Sequence, residues 1–431
     1  METSSNSISR IESKLSNVFI PSSPISTPNL LKGREEILQE INVGYRRKGA
    51  SIVLYGERGV GKTSIVKVVA KTLKGNHFYY SADGEDTFET IAFNVLKHYN
   101  SHMVERSSES TEIESKDASV KIPIASGKLA HSDQVSHIET PISEQKITSQ
   151  EIANRLQNQE GLIIIDDFER IKSAKARAKF ADLIKKFSDN EILLTILIVG
   201  IGDNLDELLG AHESIQRNII EIKTPRLSND IIKKIVTDGF AELTISIDSD
   251  CIDQIVEFSA NFPHFTHLMC EGATISLINK LRNNQKQDYS INVEEIRDSI
   301  SYAISHTQYS IQQAYETAIT NIRESQRFKY TLYAIASWPA EPVAYRDITK
   351  WVGGITKTLN GVVNVSHQLK SLEKVGIIQR TSKGYYRFKN PILKAYVILK
   401  ARADTPLNEL TEFDAHLSYV RKKLDRVKER I

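Results

Sequence analysis

The stretch YGERGVGKTS, residues 55–64, combines glycines with a lysine and two hydroxyl residues at a spacing suited to holding phosphate. Gly56 and Gly61 allow backbone N–H groups to turn inward around an anion, and Lys62 can reach the outer phosphate oxygens. The Thr63 hydroxyl can bind Mg²⁺, and a helix beginning here presents its positive dipole end to the anion. The pattern predicts an ATP and Mg²⁺ site whose cofactor-binding residues are Gly56, Gly59, Val60, Gly61, Lys62, Thr63 and Ser64.

Two adjacent carboxylates, Asp166 and Asp167, follow the apolar run GLIII. A phosphate loop needs a second, acidic strand to hold Mg²⁺, so Asp166 is predicted to be a metal ligand together with Thr63. A carboxylate at the carboxyl end of a buried strand lies at the ligand-binding edge of such a sheet. Asp167 is predicted to be catalytic, since it could orient or deprotonate the attacking water. The alternatives are that Asp167 caps a helix and that Glu169 is a solvated charge.

Alternating strands and helices between residues 51 and 225 are predicted to position these side chains. Continuous apolar runs are typical of strands covered on both faces, and HFYYSA at 77–82 indicates one further strand. The apolar runs occupy residues 51–55, 162–165, 193–201 and 218–225. The predicted fold class is therefore α/β, with the parallel sheet of a P-loop NTPase.

The rest of the chain divides by its pattern. Residues 228–320 show only helical spacing and predict an all-helical domain after an α/β domain at 18–227. Residues 321–404 show three helices and two alternating runs about a Ser-Lys-Gly turn, which predicts a C-terminal winged helix-turn-helix. Serine-rich residues 1–17 predict a flexible tail, and residues 105–148, without an aromatic residue, predict a mobile insertion. Residues 405–431 predict a basic helix.

Composition excludes several classes of protein. The 431 residues suggest two or three domains, and a formal net charge of +2 does not indicate a generally basic nucleic-acid binder. Two cysteines, Cys251 and Cys270, support neither a disulfide framework nor a zinc site. The N-terminus lacks a signal-peptide core, and no stretch approaches the roughly 18 apolar residues of a membrane span. We therefore expect a cytoplasmic protein without a membrane partner.

The phosphate loop, the two-acid strand and the helical domain together resemble the AAA+ ATPases. They are most similar to the branch that contains the origin-recognition initiators of archaea and eukaryotes. LLKGREEIL resembles the adenine-binding segment of that branch, which implies nucleotide contacts for Leu31, Gly33 and Arg34. VGIGDNLDELL lies at the sensor-1 position, which implies a catalytic role for Asp203 or its neighbour Asn204. The family more often has Asn, Ser or Thr there, so Asp203 is a departure.

The resemblance extends to two further positions. Arg217, ahead of the last strand of the sheet, matches the arginine finger that reaches the γ-phosphate of a neighbouring subunit, which implies a homo-oligomer on ATP binding. SANFPHFTHLM in the lid-like helical domain matches the sensor-2 motif, with His264 where the family usually has arginine. A histidine is neutral much of the time near pH 7, which weakens the case for rapid hydrolysis. The same motif is similar to that of STAND signalling ATPases. We interpret His267 as a packing residue.

Two functions remain open from the sequence. The first is an oligomeric ATPase that engages double-stranded DNA through the winged helix, where basic and polar side chains could contact phosphates and the major groove. Those side chains are Asn364, Ser366, His367, Gln368, Lys370, Lys374, Arg380, Lys383, Arg387 and Lys389.

The second is a STAND-like switch with slow hydrolysis, whose winged helix binds a partner effector protein. The hydrolysis rate distinguishes the two. A small-molecule kinase is disfavoured, because no separate acceptor pocket is evident.

Overall fold

The computed structural model of the chain divides into two compact units. The sheet unit comprises Glu36–Gly56 and Val69–Lys223, and the helical unit comprises Met1–Glu35, Glu57–Val68 and Thr224–Ile431. The residues that the structure describes are 2–99, 147–202, 204–210, 213–320, 325–338, 341–355 and 364–404. The predicted basic C-terminal helix, and all but the last two residues of the predicted insertion, lie outside the described residues.

Five parallel strands form the sheet unit, in the order β2-β3-β4-β1-β5. Their bounds are β1 Ser51–Gly56, β2 His77–Ser81, β3 Glu160–Asp166, β4 Leu193–Ile201 and β5 Ile219–Lys223. The register pairs Gly56 with Ile201 and Ser81 with Asp166, so the carboxyl ends of four strands share one edge. β3 and β4 are buried along nearly their whole length, as their apolar runs predict, and the parallel α/β sheet is confirmed.

Two helices of the sheet unit begin at residues whose side chains cap the helix N-terminus. The Thr148 hydroxyl accepts from the backbone N–H of Glu151, and the Ser173 hydroxyl accepts from that of Ala176. The helices are α2 Glu35–Arg46, α4 Phe88–Tyr99, α5 Ser149–Arg155, α6 Ala174–Asp189 and α7 Leu205–Leu209. α3, Lys62–Thr72, begins in the helical unit and ends in the sheet unit. Short 3₁₀ helices occupy Phe168–Arg170 and Glu213–Asn218.

The helical unit contains the helices that follow the sheet. They are α8 Asn229–Glu242, α9 Ser249–Phe258, α10 Pro263–Arg282, α11 Val293–His306 and α12 Tyr309–Thr320. Two two-residue strands, β6 Ser246–Ile247 and β7 Ser290–Ile291, pair in parallel between them. Val60 of the phosphate loop lies in the hydrophobic core of this unit.

The N-terminal residues form a helix, so the prediction of a flexible tail is wrong. α1 spans Glu2–Val18, and Ile8, Ile11 and Val18 are buried in the core of the helical unit. Leu15 packs against the same core, which completes an apolar stripe at helical spacing. Serines lie between the four apolar residues of this stripe, so the composition of the segment predicts a tail although its spacing is helical.

Helices and a small antiparallel sheet make up the C-terminal part of the helical unit. The elements are α13 Ser325–Ser337, β8 Val343–Ala344, α14 Tyr345–Ile355, α15 Ser366–Lys374, β9 Ile378–Ser382, β10 Tyr385–Phe388 and α16 Pro391–Asp404. The sheet order is β8-β10-β9, with β10 antiparallel to both neighbours. Phe388 is buried and Tyr386 packs on the core, as the alternation of this hairpin predicts. Across the described residues, no helix has the length and apolar character needed to cross a membrane.

Candidate functional site

The phosphate loop leaves β1 at Gly56 and enters α3 at Lys62. Gly59 and Gly61 have φ angles of +85° and +95°, which residues with a Cβ atom rarely adopt. A Cβ atom built on Gly61 would meet no heavy atom of the described residues within 4 Å, so there is open space beside the backbone. A turned backbone next to open space is the arrangement that lets phosphate oxygens approach N–H groups.

The two residues that begin α3 lie where the motif requires them. Lys62 is only 8% exposed, and its ammonium donates to the Glu57 carbonyl at 2.8 Å. This contact folds the lysine back over the loop. Thr63 follows at the start of the helix and is half-buried. The Ser64 hydroxyl accepts from the backbone N–H of Ile25 at 3.1 Å, which ties the segment after α1 to this helix.

Arg34 is a buried cation that contacts the backbone of the loop. It is 4% exposed, and its Nη2 donates to the carbonyls of Val60 and Pro225, each at 2.8 Å. Burial lowers its pKa to about 10, although Glu35 opposes this, so the guanidinium stays charged at neutral pH. These bonds hold the loop backbone, and the nucleotide contact that the resemblance implies for Arg34 stays a prediction.

Leu31 and Gly33 also have packing roles. Leu31 is buried, and a Cβ atom on Gly33 would lie 2.7 Å from Ile231 of α8. Gly33 also has a φ angle of +67°, so both its conformation and its close neighbour require glycine. The segment that resembles the adenine-binding segment is therefore packed on α8 within the helical unit, and no described contact assigns a base to it.

An ion network connects the phosphate loop to the C-terminal part of the helical unit. Arg226 donates to Glu57 at 2.6 Å and to Glu341 at 3.3 Å, and Lys394 of α16 lies 2.9 Å from Glu341. Burial opposes ionisation of Glu341, but the adjacent cations, Lys394 foremost, hold its pKa below the ordinary value. Burial lowers the pKa of Lys394, against the effect of Glu341.

Apolar contacts accompany this network. The Arg226 guanidinium lies 4.9 Å from the centre of the Phe262 ring, and a Cβ atom on Gly59 would be 3.0 Å from Ile392 of α16. Sequence reasoning missed all these residues. Separations of 169 residues for Arg226–Glu57 and 115 for Arg226–Glu341 leave no local pattern to detect.

The two lid histidines have different partners from each other. His264 Nδ1 lies 2.9 Å from the Pro21 carbonyl, which can only accept, so Nδ1 carries the proton of the neutral ring. Burial lowers the His264 pKa. The neutral ring therefore has no second donor for phosphate, which argues against the predicted role of His264. His267 is 5% exposed and accepts from the Ile20 N–H at 3.3 Å, so its interpretation as a packing residue is confirmed.

The acidic end of β3 holds its carboxylates with donors from the sheet unit. Asp166 is 2% exposed. Its Oδ2 accepts from the Tyr79 hydroxyl and its Oδ1 from the backbone N–H of Asp167, each at 2.9 Å. The backbone carbonyl of Asp166 accepts from Ala82 at 2.8 Å. The metal-ligand candidate is therefore fixed at the carboxyl edge of the sheet.

Asp167 departs from strand geometry immediately after Asp166. Its φ and ψ angles of 54° and 34° are left-handed, and its side chain makes no capping bond to the 3₁₀ helix that follows. Its Oδ2 instead accepts from the Ser81 hydroxyl at 2.9 Å. Glu169 accepts from the backbone N–H of Ile201 at 2.9 Å, so it fixes the end of β4 and is not merely solvated. A left-handed Asp costs free energy, and such strain persists where the surroundings enforce it.

Three predicted catalytic positions lie on the segment between β4 and β5. Asp203 lies outside the described residues. Asn204 is exposed just before α7. Arg217 is exposed at the end of the 3₁₀ helix that precedes β5. Exposure is compatible with a role toward a second molecule.

The side chains predicted to face DNA divide into two groups. Gln368 is 2% exposed, which contradicts its role as a contact residue. The Asn364 Oδ1 accepts from the Ser366 backbone N–H at 2.9 Å, which places it at the start of α15. Arg387 is half-buried and pairs in register with Gln379. The exposed side chains are Asn364, His367, Lys370, Lys374, Arg380, Lys383 and Lys389.

Comparison with known proteins agrees with this geometry. Residues 30–198 match the family described as AAA ATPase domain. A Walker-type ATPase of Pyrococcus abyssi is similar over 87% of this chain and 98% of its own, at 14% identity and a TM-score of 0.51. No curated protein matches the chain.

Two DNA-related structures are similar at a lower level. The Orc1 protein of Aeropyrum pernix in complex with DNA has 14% identity and a TM-score of 0.43, covering 89% of this chain and 95% of its own. The RuvB Holliday junction branch migration motor of Thermotoga maritima has 13% identity and a TM-score of 0.39, covering 87% and 97%. Residues 30–198 are therefore similar to AAA ATPase domains, and the five-stranded parallel sheet has the fold of a P-loop NTPase.

Proposed function

We propose that this protein binds ATP with Mg²⁺ and hydrolyses it to drive assembly or remodelling on DNA or on a partner protein. The observation that carries the proposal is the phosphate loop inside the AAA ATPase match, where two positive-φ glycines lead directly into α3 at Lys62. These residues fit a nucleotide, since open space lies beside Gly61 and a lysine donor lies at the helix start.

The residues of the candidate site have distinct roles in this proposal. Lys62 exchanges the Glu57 carbonyl for the β- and γ-phosphate oxygens, and Arg34 keeps the loop backbone in place through Val60. Thr63 and Asp166 hold Mg²⁺, which neutralises charge on the phosphates when bound. Asp167 orients or deprotonates the attacking water, and Ser81 fixes the Asp167 carboxylate.

We assign Arg217 to a neighbouring subunit's γ-phosphate, so that ATP binding favours a homo-oligomer. The C-terminal elements, by this proposal, form a winged helix that engages DNA. Support comes from the order α13, β8, α14, α15, β9, β10 and from the β8-β10-β9 sheet, which leaves basic side chains of α15 and the hairpin exposed.

A slowly hydrolysing, STAND-like switch is the second candidate function. The ion network from Glu57 to Lys394 favours it, because it joins the phosphate loop to the C-terminal elements and ends in a largely buried ion pair that is costly to break. The neutral His264, which has no donor for phosphate, agrees with slow turnover. In this candidate the C-terminal elements bind a partner effector protein.

One experiment tests both candidates. Molecular mass in solution and the ATP hydrolysis rate are measured for the full chain, with and without ATP and duplex DNA. Steady turnover by an ATP-dependent oligomer, increased by DNA, supports the first candidate, and slow turnover unaffected by DNA supports the second.

Two variants test the arginine finger in the same assays. Arg217→Ala should bind ATP but lose hydrolysis by about 10³-fold, and mixing it with a Lys62→Ala variant should restore part of the activity. Full activity of Arg217→Ala alone would exclude the finger. A chain that fails to bind ATP at all would refute both candidate functions.

A further inference from the structure

Tyr79 contacts the metal-ligand candidate from the neighbouring strand. Its hydroxyl donates to Asp166 Oδ2 at 2.9 Å. The register pairs Tyr79 with Ile164 and Ser81 with Asp166, so the tyrosine side chain runs along β2 toward the carboxyl end of β3. Asp166 Oδ1 accepts from the Asp167 backbone N–H, also at 2.9 Å. The two oxygens of one carboxylate are thus oriented by two donors of the sheet unit.

The Tyr79 hydroxyl is suited to a donor role, because a tyrosine phenol carries its proton near pH 7 and an ionised carboxylate can only accept. The side chain is 37% exposed, so removing its hydroxyl leaves no closed cavity. A donor bonded to a metal-ligating carboxylate commonly changes metal affinity by about 10–100-fold.

We propose that Tyr79 is a positioning residue for Mg²⁺, which holds the Asp166 carboxylate in the orientation that accepts the metal accompanying ATP. Tyr79 acts through Asp166 and does not itself contact nucleotide. The inference rests on the proposed ATPase function and assigns a role to a residue outside both the phosphate loop and the acidic pair.

A matched pair of variants isolates the hydroxyl. Tyr79→Phe removes the donor to Asp166 and keeps the ring. Tyr80→Phe makes the same change at the next residue, whose hydroxyl donates to Asp86 at 2.7 Å. The probe is a fluorescent N-methylanthraniloyl derivative of ATP. Its affinity for the full chain is measured by anisotropy without metal and across a MgCl₂ titration.

We expect Tyr79→Phe to raise the Mg²⁺ concentration at the midpoint of this titration by about tenfold, with no change in metal-free affinity. Tyr80→Phe should match the wild-type chain in both measurements. A purely structural role of Tyr79 would instead lower the metal-free affinity as well.

Three outcomes would overturn the inference while leaving nucleotide binding intact. They are equal Mg²⁺ midpoints for Tyr79→Phe and wild type, an equal loss of metal-free affinity, and wild-type binding that does not respond to Mg²⁺. Failure of the wild-type chain to bind the ATP derivative under any condition would overturn the ATPase proposal itself, and the inference with it.

Discussion

The phosphate loop and the acidic end of β3 are held by different kinds of interaction. Around the loop, charged side chains from distant parts of the chain meet in ion pairs, which run from half-buried Glu57 and Arg226 to the largely buried pair of Glu341 with Lys394. At the acidic end, neutral hydroxyls and backbone N–H groups of the same sheet orient the carboxylates. Removing one member of a buried ion pair leaves a charge uncompensated, whereas losing a neutral donor costs much less.

The two regions should therefore respond differently to substitution. Substitutions in the network around the loop should destabilise the helical unit. Substitutions at the acidic end should impair metal binding or hydrolysis while the fold survives. The following predictions test that contrast, beginning with the loop residue that serves chemistry rather than stability.

The largest effect is expected from Lys62→Ala. The variant should lose measurable ATP binding, because the motif directs this side-chain cation to the β- and γ-phosphates. Equilibrium binding of ATP measures the loss. Lys71→Ala, near the exposed end of the same helix, is the control and should bind normally. Wild-type affinity in Lys62→Ala would show that this loop does not hold phosphate.

Asp167→Asn should lower the hydrolysis rate by at least about 100-fold while ATP affinity stays within twofold of wild type. The amide keeps the size of the side chain and removes the carboxylate that acts on water. Single-turnover hydrolysis and ATP binding are measured together. The same change at Asp182, exposed on α6, should alter neither quantity. Unchanged hydrolysis would limit Asp167 to a structural role.

Lys394→Met should lower the free energy of unfolding by about 3 kcal/mol, since it removes the cation beside buried Glu341. Lys233→Met, which breaks the exposed pair of Lys233 with Asp253, should lower the free energy of unfolding much less, because solvent screens exposed charges. Denaturant unfolding of both variants gives the comparison.

Adding Glu341→Gln to Lys394→Met should recover part of the loss, because no carboxylate then remains without its lysine partner. Equal losses of unfolding free energy in Lys394→Met and Lys233→Met would show that burial does not strengthen the Lys394–Glu341 pair.

The last prediction concerns His267 and the pH dependence of the free energy of unfolding, and leaves the stability at neutral pH unchanged. Burial, and secondarily His264, lower its folded-state pKa to about 4. The unfolded chain has a pKa of about 6.5 and binds the proton first, so this residue's contribution to stability is complete above pH 6.5. The contribution falls as the pH drops from 6.5 to 4, by up to about 3 kcal/mol in total.

His267→Asn, which keeps an acceptor for the Ile20 N–H, should flatten the pH dependence of unfolding over that interval. An unaltered slope in His267→Asn would place the titrating group elsewhere.

Local sequence determined the phosphate loop, the strands and the position of the acidic pair. These features are contiguous along the chain. The glycines, Lys62 and Thr63 lie within residues 56–63, and Asp166 is the last residue of a buried apolar strand. Their chemistry follows from backbone conformation and hydrophobic period, both of which a short stretch specifies. The same locality explains why α1 was missed, since its four apolar residues are spread among serines.

Only the tertiary structure decided which side chains support these features. Arg34 reaches Val60, Arg226 joins Glu57 to Glu341, and Tyr79 reaches Asp166, in each case between segments that the chain brings together only on folding. The tertiary structure also buries Gln368. It places the Pro21 carbonyl where it accepts a hydrogen bond from Nδ1 of His264. The physical reason is that burial and hydrogen-bond partners depend on what packs against a residue, which no local spacing records.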